Sequence, residues 1–306
     1  MQNRPVEYAL LGVLALLWGS SYMWIGIALD TFPPATLIAI RVALASAVLL
    51  VIMVIQGVRM PLDGRTWRLF FVQSLVNSTG PWLLLAWGQQ YAGTAVSSVL
   101  NSTSPLWVFA FSYLILNSGQ RPGTRQLFGA LAGFCGIVLI VGVGALEDLG
   151  QNFLPQLAVL FSAALYGIAA LRGRHFAGMP PIVPATGTLL CSCLVLIPMS
   201  LVTDQPWLLS PDFAGIGSAV VLGVVCTALA FLIYFRLLST LGAMGTASQA
   251  YLRSGIGVFL GVVFLSETLD LETFAGICLA IFGVVLINWP GAKRSKPATP
   301  AGKEVS

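Results

Sequence analysis

Two stretches of the chain carry hydrogen-bonding side chains in otherwise apolar surroundings. One holds Gln73, Asn77, Ser78 and Thr79, followed by Pro81 and Trp82. The other holds Ser97, Ser98, Asn101, Ser102, Thr103 and Ser104, followed by Pro105 and Trp107. Helical spacing puts Asn77 and Pro81 on one face, and likewise Ser97, Asn101 and Ser104, so each stretch presents a polar stripe. Pro81 and Pro105 also remove backbone donors and free carbonyls near the same level. Further along, Arg253 stands among apolar residues beside Gln249 and Tyr251. A guanidinium in that setting needs acceptors, which an anionic ligand group, backbone carbonyls or water can supply. Trp18 and Tyr166 are aromatic groups able to stack on a flat apolar side chain, or simply to pack in a core.

These residues suit recognition, not catalysis. The single histidine, His175, lies in a basic loop with Arg172 and Arg174 and reads as solvated. The five cysteines (Cys135, Cys191, Cys193, Cys226, Cys278) fall in apolar stretches without metal-ligand spacing and read as small packing residues. No paired carboxylates, activated nucleophile or Gly-rich phosphate loop is in evidence, so neither an enzyme nor direct ATP drive is expected, and no cofactor or metal.

The elements that hold these residues follow from composition. Only 15 Lys+Arg and 11 Asp+Glu occur in 306 residues, 57% of the chain is hydrophobic, and mean hydropathy is +0.90. A water-soluble fold of that composition would not cover itself. Apolar runs long enough to cross a bilayer predict helices at about 7–28, 34–56, 67–90, 94–117, 124–144, 152–173, 180–202, 212–238, 243–265 and 270–289. The first run is too long for a signal-peptide core and lacks a cleavage site, so it is expected to stay attached. The expectation is an all-α integral membrane protein of ten transmembrane helices.

Charge orients them. With a cytoplasmic N-terminus, thirteen of the fifteen basic residues fall inside: Arg4, Arg59, Arg65, Arg68, Arg121, Arg125, Arg172, Arg174, Arg236, Lys293, Arg294, Lys296 and Lys303. The other two, Arg41 and Arg253, lie within helices, so the outer loops carry neither Lys nor Arg. Asp30, Glu147, Asp148, Asp204, Asp212, Glu267, Asp270 and Glu272 fall outside. Both termini are thus expected to be cytoplasmic. The net charge of +4 is an orientation signal, and basic residues scattered over short loops do not make a nucleic-acid surface. Residues 291–306 read as a disordered cytoplasmic tail. Trp24, Trp207 and Trp289, near helix ends, read as interfacial anchors.

Shifting the chain by 147 to 149 residues superposes unlike features: Phe32-Pro33-Pro34 on Met179-Pro180-Pro181, Trp18-Gly19 on Tyr166-Gly167, and Gly129 and Gly136 on Gly276 and Gly283. A duplication follows, with repeats over 1–148 and 149–290. An odd number of helices per repeat turns the second unit over, giving inverted five-helix repeats, a transporter feature.

The residues resemble a known family, the drug/metabolite transporter superfamily in its ten-helix EamA form. The likeness runs from Leu14-Ala15-Leu16-Leu17-Trp18-Gly19-Ser20-Ser21 through Pro34 and Arg41 to Gly276. It is most specific in Leu222-Gly223-Val224-Val225-Cys226-Thr227-Ala228-Leu229-Ala230, Tyr234-Phe235-Arg236, Leu241-Gly242-Ala243, Gly261 and Leu265-Ser266-Glu267. Ser118 and Ser254 depart from the family's Glu and Pro, at positions that tune helix kinks and ends. The resemblance implies export of small metabolites through a central cavity, with amino-acid exporters, including the aromatic type called YddG, among similar members. Smaller four-helix relatives carry a membrane glutamate in helix one; Trp18, Ser20, Ser21 and Tyr22 stand there instead, which argues against that form of proton coupling.

The candidate substrate residues are Trp18, Asn77, Pro81, Trp82, Ser97, Asn101, Tyr166, Gln249 and Arg253. Arg41 reads as a local anchor, bonded to loop carbonyls or Asp30. Ser98, Ser102 and Thr103 read as packing glue, and Gly129 with Gly133 and Gly257 with Gly261 as sites of close helix approach. The partners expected are a small-molecule substrate, an amino acid or similar metabolite, and inner-membrane lipid, with no nucleic acid; monomer or homodimer stays open. The alternative within the same fold is a multidrug or cation efflux carrier, which would want an anionic site at membrane depth.

Overall fold

Several helices begin at a side-chain cap or a proline, and one breaks where a proline withholds a backbone donor. The computed structural model describes residues 4–92, 94–116, 121–141, 153–253 and 271–289, and the regular elements among them are all helical. In chain order they are α1 (Arg4–Leu29), α2 (Pro34–Ile55), α3 (Gly64–Ala92), α4 (Thr94–Asn101), α5 (Ser104–Ile115), α6 (Thr124–Val141), α7 (Phe153–Arg172), α8 (Ile182–Thr203), α9 (Phe213–Thr240), α10 (Gly242–Ala247) and α11 (Leu271–Asn288). Helix returns over 249–253 after a turn at Ser248. Six of these segments, α1, α2, α3, α7, α8 and α9, are long and apolar enough to cross a membrane. The predicted tail, Ser118, Glu267 and the Gly257–Gly261 pair lie outside the described residues.

The fourth predicted helix is in fact two. Pro105 has no N–H to give the carbonyl of Asn101 four residues earlier, so the helix stops at Asn101 and restarts at Ser104. The freed carbonyl accepts from the Ser104 hydroxyl at 2.7 Å. Nearby hydroxyls turn onto their own helix, Ser102 to the Ser98 carbonyl and Thr103 to that of Leu100, so this stretch stabilises its own broken backbone.

Departures from regularity recur at the repeat offset. A π turn at Leu75–Thr79 in α3 matches another at Val224–Leu229 in α9, 149 residues on. Asp63 caps α3 through the Thr66 amide, and Asp212 caps α9 through the Gly215 amide, again 149 apart. Those amide bonds hold both carboxyls below the ordinary aspartate range. Gly19 of α1 packs on the Arg253 backbone, where a Cβ would lie 2.9 Å from its carbonyl oxygen. Gly167 of α7, 148 residues later, packs likewise on Trp107, 2.8 Å from its Cβ.

Packing is tightest where glycines face one another. On α6 and α11 a Cβ at Gly136 would lie 2.5 Å from the Ala280 nitrogen, and one at Gly283 equally close to the Gly129 carbonyl oxygen. The two backbones therefore touch, as small residues permit in lipid. Gly133 seats the Tyr251 ring, whose hydroxyl donates to the Ala130 carbonyl at 2.8 Å. Gly129 and Gly133 thus pack within the chain. Elsewhere α2 lies on α8, α3 on α7 and α1 on α9. The α2 N-terminus is closed by Asp204, which accepts from the Thr36 amide and hydroxyl at 2.7 and 2.8 Å. Buried Leu14, Leu37, Leu49, Phe70, Leu189 and Leu222 fill the interior, while Val54, Leu114, Leu194 and Val202 point outward, an inside-out apolar balance that suits lipid.

Candidate functional site

Both repeats contribute to one cavity, which leaves about 50 Å³ of room for the centres of water-sized molecules. From the first repeat come Trp18 and Tyr22 of α1, Arg41 of α2, Asn77 and Trp82 of α3, and Asn101 at the end of α4. From the second come Tyr166 of α7, Tyr234 of α9, and Gln249 and Arg253 beyond α10.

The backbone irregularities sit against this cavity. Asn77 lies inside the first π turn, and Asn101 is the last residue before the proline break. In the second π turn Thr227 donates to the Leu222 carbonyl at 2.7 Å, five residues back, and accepts from Arg41 Nε at 2.6 Å. π turns often mark functional positions because they redirect side chains that a regular helix would point elsewhere.

The aromatic wall is held in place. The Trp18 indole N–H donates to the Cys226 carbonyl at 3.1 Å, and its ring lies 5.4 Å from Tyr234 and 6.5 Å from Phe231. Trp82 packs edge-on to Phe231 at 5.6 Å and carries the Arg41 guanidinium 4.1 Å above its ring. Arg253 lies 5.2 Å over the Tyr22 ring and donates to Asn101 Oδ1 at 3.3 Å. Among the described residues its Nε has no acceptor, and neither do the amide nitrogens of Asn77 and Asn101. Buried donors without acceptors are costly in an empty site and are what a bound polar ligand would use.

Of the nine residues singled out from sequence, seven line the cavity: Trp18, Asn77, Trp82, Asn101, Tyr166, Gln249 and Arg253. The other two do not. Pro81 is buried behind the wall, its carbonyl accepting from Ser162 Oγ at 3.0 Å. Ser97 is buried one turn from Asn101 and also off the wall. Arg41 needs a larger correction. Its side chain turns inward to Thr227 and Trp82, with no contact to Asp30. Tyr22 and Tyr234 also belong to the wall; Tyr22 had a legible signal, since it stands four residues after Trp18 on the same helix face.

The model of the EamA-like transporter family matches residues 6–142 and 154–289. The uncharacterized transporter YoaV of Bacillus subtilis (strain 168) is 21% identical over 288 residues, 93% of this chain and 98% of that protein. The uncharacterized inner membrane transporter YedA of Escherichia coli (strain K12) is 21% identical over 281 residues, covering 92% and 90%. A probable terminal-alkyne amino-acid exporter of Streptantibioticus cattleyicolor is 23% identical over 292 residues, covering 94% of each. A protein of known crystal structure shares the fold with a TM-score of 0.78 at 19% identity, over 92% of this chain and 97% of that one.

Proposed function

Since the chain belongs to the EamA-like transporter family, we propose that it carries small carboxylate-bearing metabolites, amino acids with aromatic or other neutral side chains first among them, out of the cell. It does so from the inner (plasma) membrane, where the similar YedA is placed by its name. The work is alternating access by two inverted five-helix repeats, residues 1–148 and 149–290, with both termini and the 291–306 tail cytoplasmic. In support stand the caps, π turns and glycine contacts that recur at 148 to 149 residues. Five helices per unit would reverse the second relative to the first.

The observation that carries the reading is the cavity itself: aromatic faces, three amides and two guanidinium groups gathered from both repeats into one buried space. Aromatic faces suit a flat side chain, and a guanidinium suits a carboxylate. A similar protein named as a probable amino-acid exporter supports the same substrate. An efflux carrier for cations would need a negative site, and no Asp or Glu stands among the described lining residues.

The test is uptake into proteoliposomes against a panel of amino acids, with and without a pH gradient. Saturable flux of at least one amino acid is expected. Failure of every amino acid together with flux of a cationic drug would overturn the reading.

A further inference from the structure

The cavity holds two positive charges and nothing negative among its described walls. Arg41 and Arg253 are 3% and 7% exposed, and the guanidinium is the side chain that proteins use as a lasting cation. Two described acidic side chains, Asp30 and Glu272, are exposed, and the other four are held away from the cavity. Glu7 pairs with Arg236 at 2.8 Å, Asp204 closes α2, and Asp63 and Asp212 cap α3 and α9.

What the two cations have instead is incomplete. Arg253 spends one terminal nitrogen on Asn101 and finds no acceptor for Nε among the described residues. Arg41 spends Nε on Thr227 and rests its guanidinium on Trp82. Ring faces and neutral oxygens soften a buried cation but leave its net charge in place. The orphaned amide nitrogens of Asn77 and Asn101 face the same space. Donors thus outnumber acceptors on the wall, and the missing group is an acceptor that carries negative charge.

Resting on the transport reading above and narrowing it, we propose that the species bound and carried is a net organic anion. It is a carboxylate on an aromatic or branched apolar frame whose amine is absent, acylated or oxidised to a carbonyl. A free amino acid is a zwitterion: its carboxylate answers one guanidinium, but its ammonium enters a space already holding two like charges. An N-acylated amino acid keeps the carboxylate, sheds the ammonium and presents an amide N–H. The orphaned Oε1 of Gln249 is placed on the wall to accept it.

Three ligands on one carbon frame test this: 3-phenylpropanoate as anion, phenylalanine as zwitterion and 2-phenylethylamine as cation. The full chain is measured by flux in proteoliposomes, corrected with empty liposomes, and by ligand-induced shift of thermal unfolding in detergent. The anion is expected to half-saturate at a concentration about tenfold or more below phenylalanine, with the amine weakest. Arg253→Gln is expected to narrow that gap to about threefold or less. Should that variant not fold, the three-ligand series on the unsubstituted protein decides alone. Phenylalanine equal to or better than 3-phenylpropanoate in both readouts overturns the inference and leaves amino-acid transport standing. Anion preference in thermal unfolding without flux of any ligand keeps the cavity's preference for a bound anion and removes carriage together with the transport reading. Neither shift nor flux with any of the three removes both.

Discussion

Gly19→Ala tests how the first helix positions Arg253. A Cβ at Gly19 would lie 2.9 Å from the Arg253 carbonyl oxygen and 3.3 Å from its Cγ. Ordinary contact begins near 3.4 Å, so the Arg253 backbone must retreat by about half an ångström. The Arg253–Asn101 bond is already long at 3.3 Å, and that retreat carries it out of bonding range. Overpacking costs about 1–3 kcal/mol, against a helix-propensity gain of up to about 1 kcal/mol for replacing glycine. The net is a destabilisation of roughly 0–3 kcal/mol. Misplacement of the Arg253 guanidinium on the cavity wall is expected to raise half-saturation roughly tenfold, or about 1.4 kcal/mol. The assay pairs thermal unfolding with concentration-dependent flux. Gly12→Ala and Gly26→Ala serve as controls, because nothing lies within 4 Å of a Cβ at either position. Gly167→Ala meets Trp107 at 2.8 Å and is expected to lose stability without the affinity change. A Gly19→Ala protein that matches Gly12→Ala in both stability and half-saturation refutes the reasoning.

Other outcomes follow from single contacts. Thr227→Val removes the acceptor of Arg41 Nε and is expected to cost about 1.5–3 kcal/mol in detergent unfolding, with Thr227→Ser restoring most of it. Gly136→Leu drives a side chain into the Ala280 backbone, 2.5 Å from its nitrogen, and is expected to abolish folded protein. Gly123→Leu, with open space around it, should express normally. The Asp63 and Asp212 carboxyls titrate lower folded than unfolded, so their capping is fully present above the ordinary aspartate range and fades as pH falls through the lowered folded values. The double variant Asp63→Asn, Asp212→Asn keeps the caps and should flatten that part of the acid-unfolding curve; an unchanged curve would discount them.

Most of the scaffold is a local property of the chain. Runs of Leu, Val, Ala and Phe specify helices wherever they reach bilayer length, because backbone groups in lipid have no other partner. The duplication was legible too, since Trp18-Gly19 and Tyr166-Gly167 recur together and their glycines turn out to serve matching contacts. Seven of the nine candidate residues line the cavity because large polar or aromatic groups inside apolar helices have few places to go.

What escaped the sequence depends on helix phase and on neighbours. Pro81 lies four residues from Asn77, but the π turn at Leu75–Thr79 inserts an extra residue and rotates everything after it by about 100°. Spacing counted on a regular helix therefore misplaces it. Ser97 shares a face with Asn101, yet sits a turn away along the axis, a distance that composition does not encode. Arg41 shows the limit most plainly. A lone arginine in an apolar run announces that it must find acceptors, but Thr227 lies 186 residues away and is aimed at it by a second π turn. Hydropathy and periodicity, being local, determined the helices, their repeat and the presence of buried polar groups. Only the packing of one helix on another decided that two of those groups are cations facing the same space.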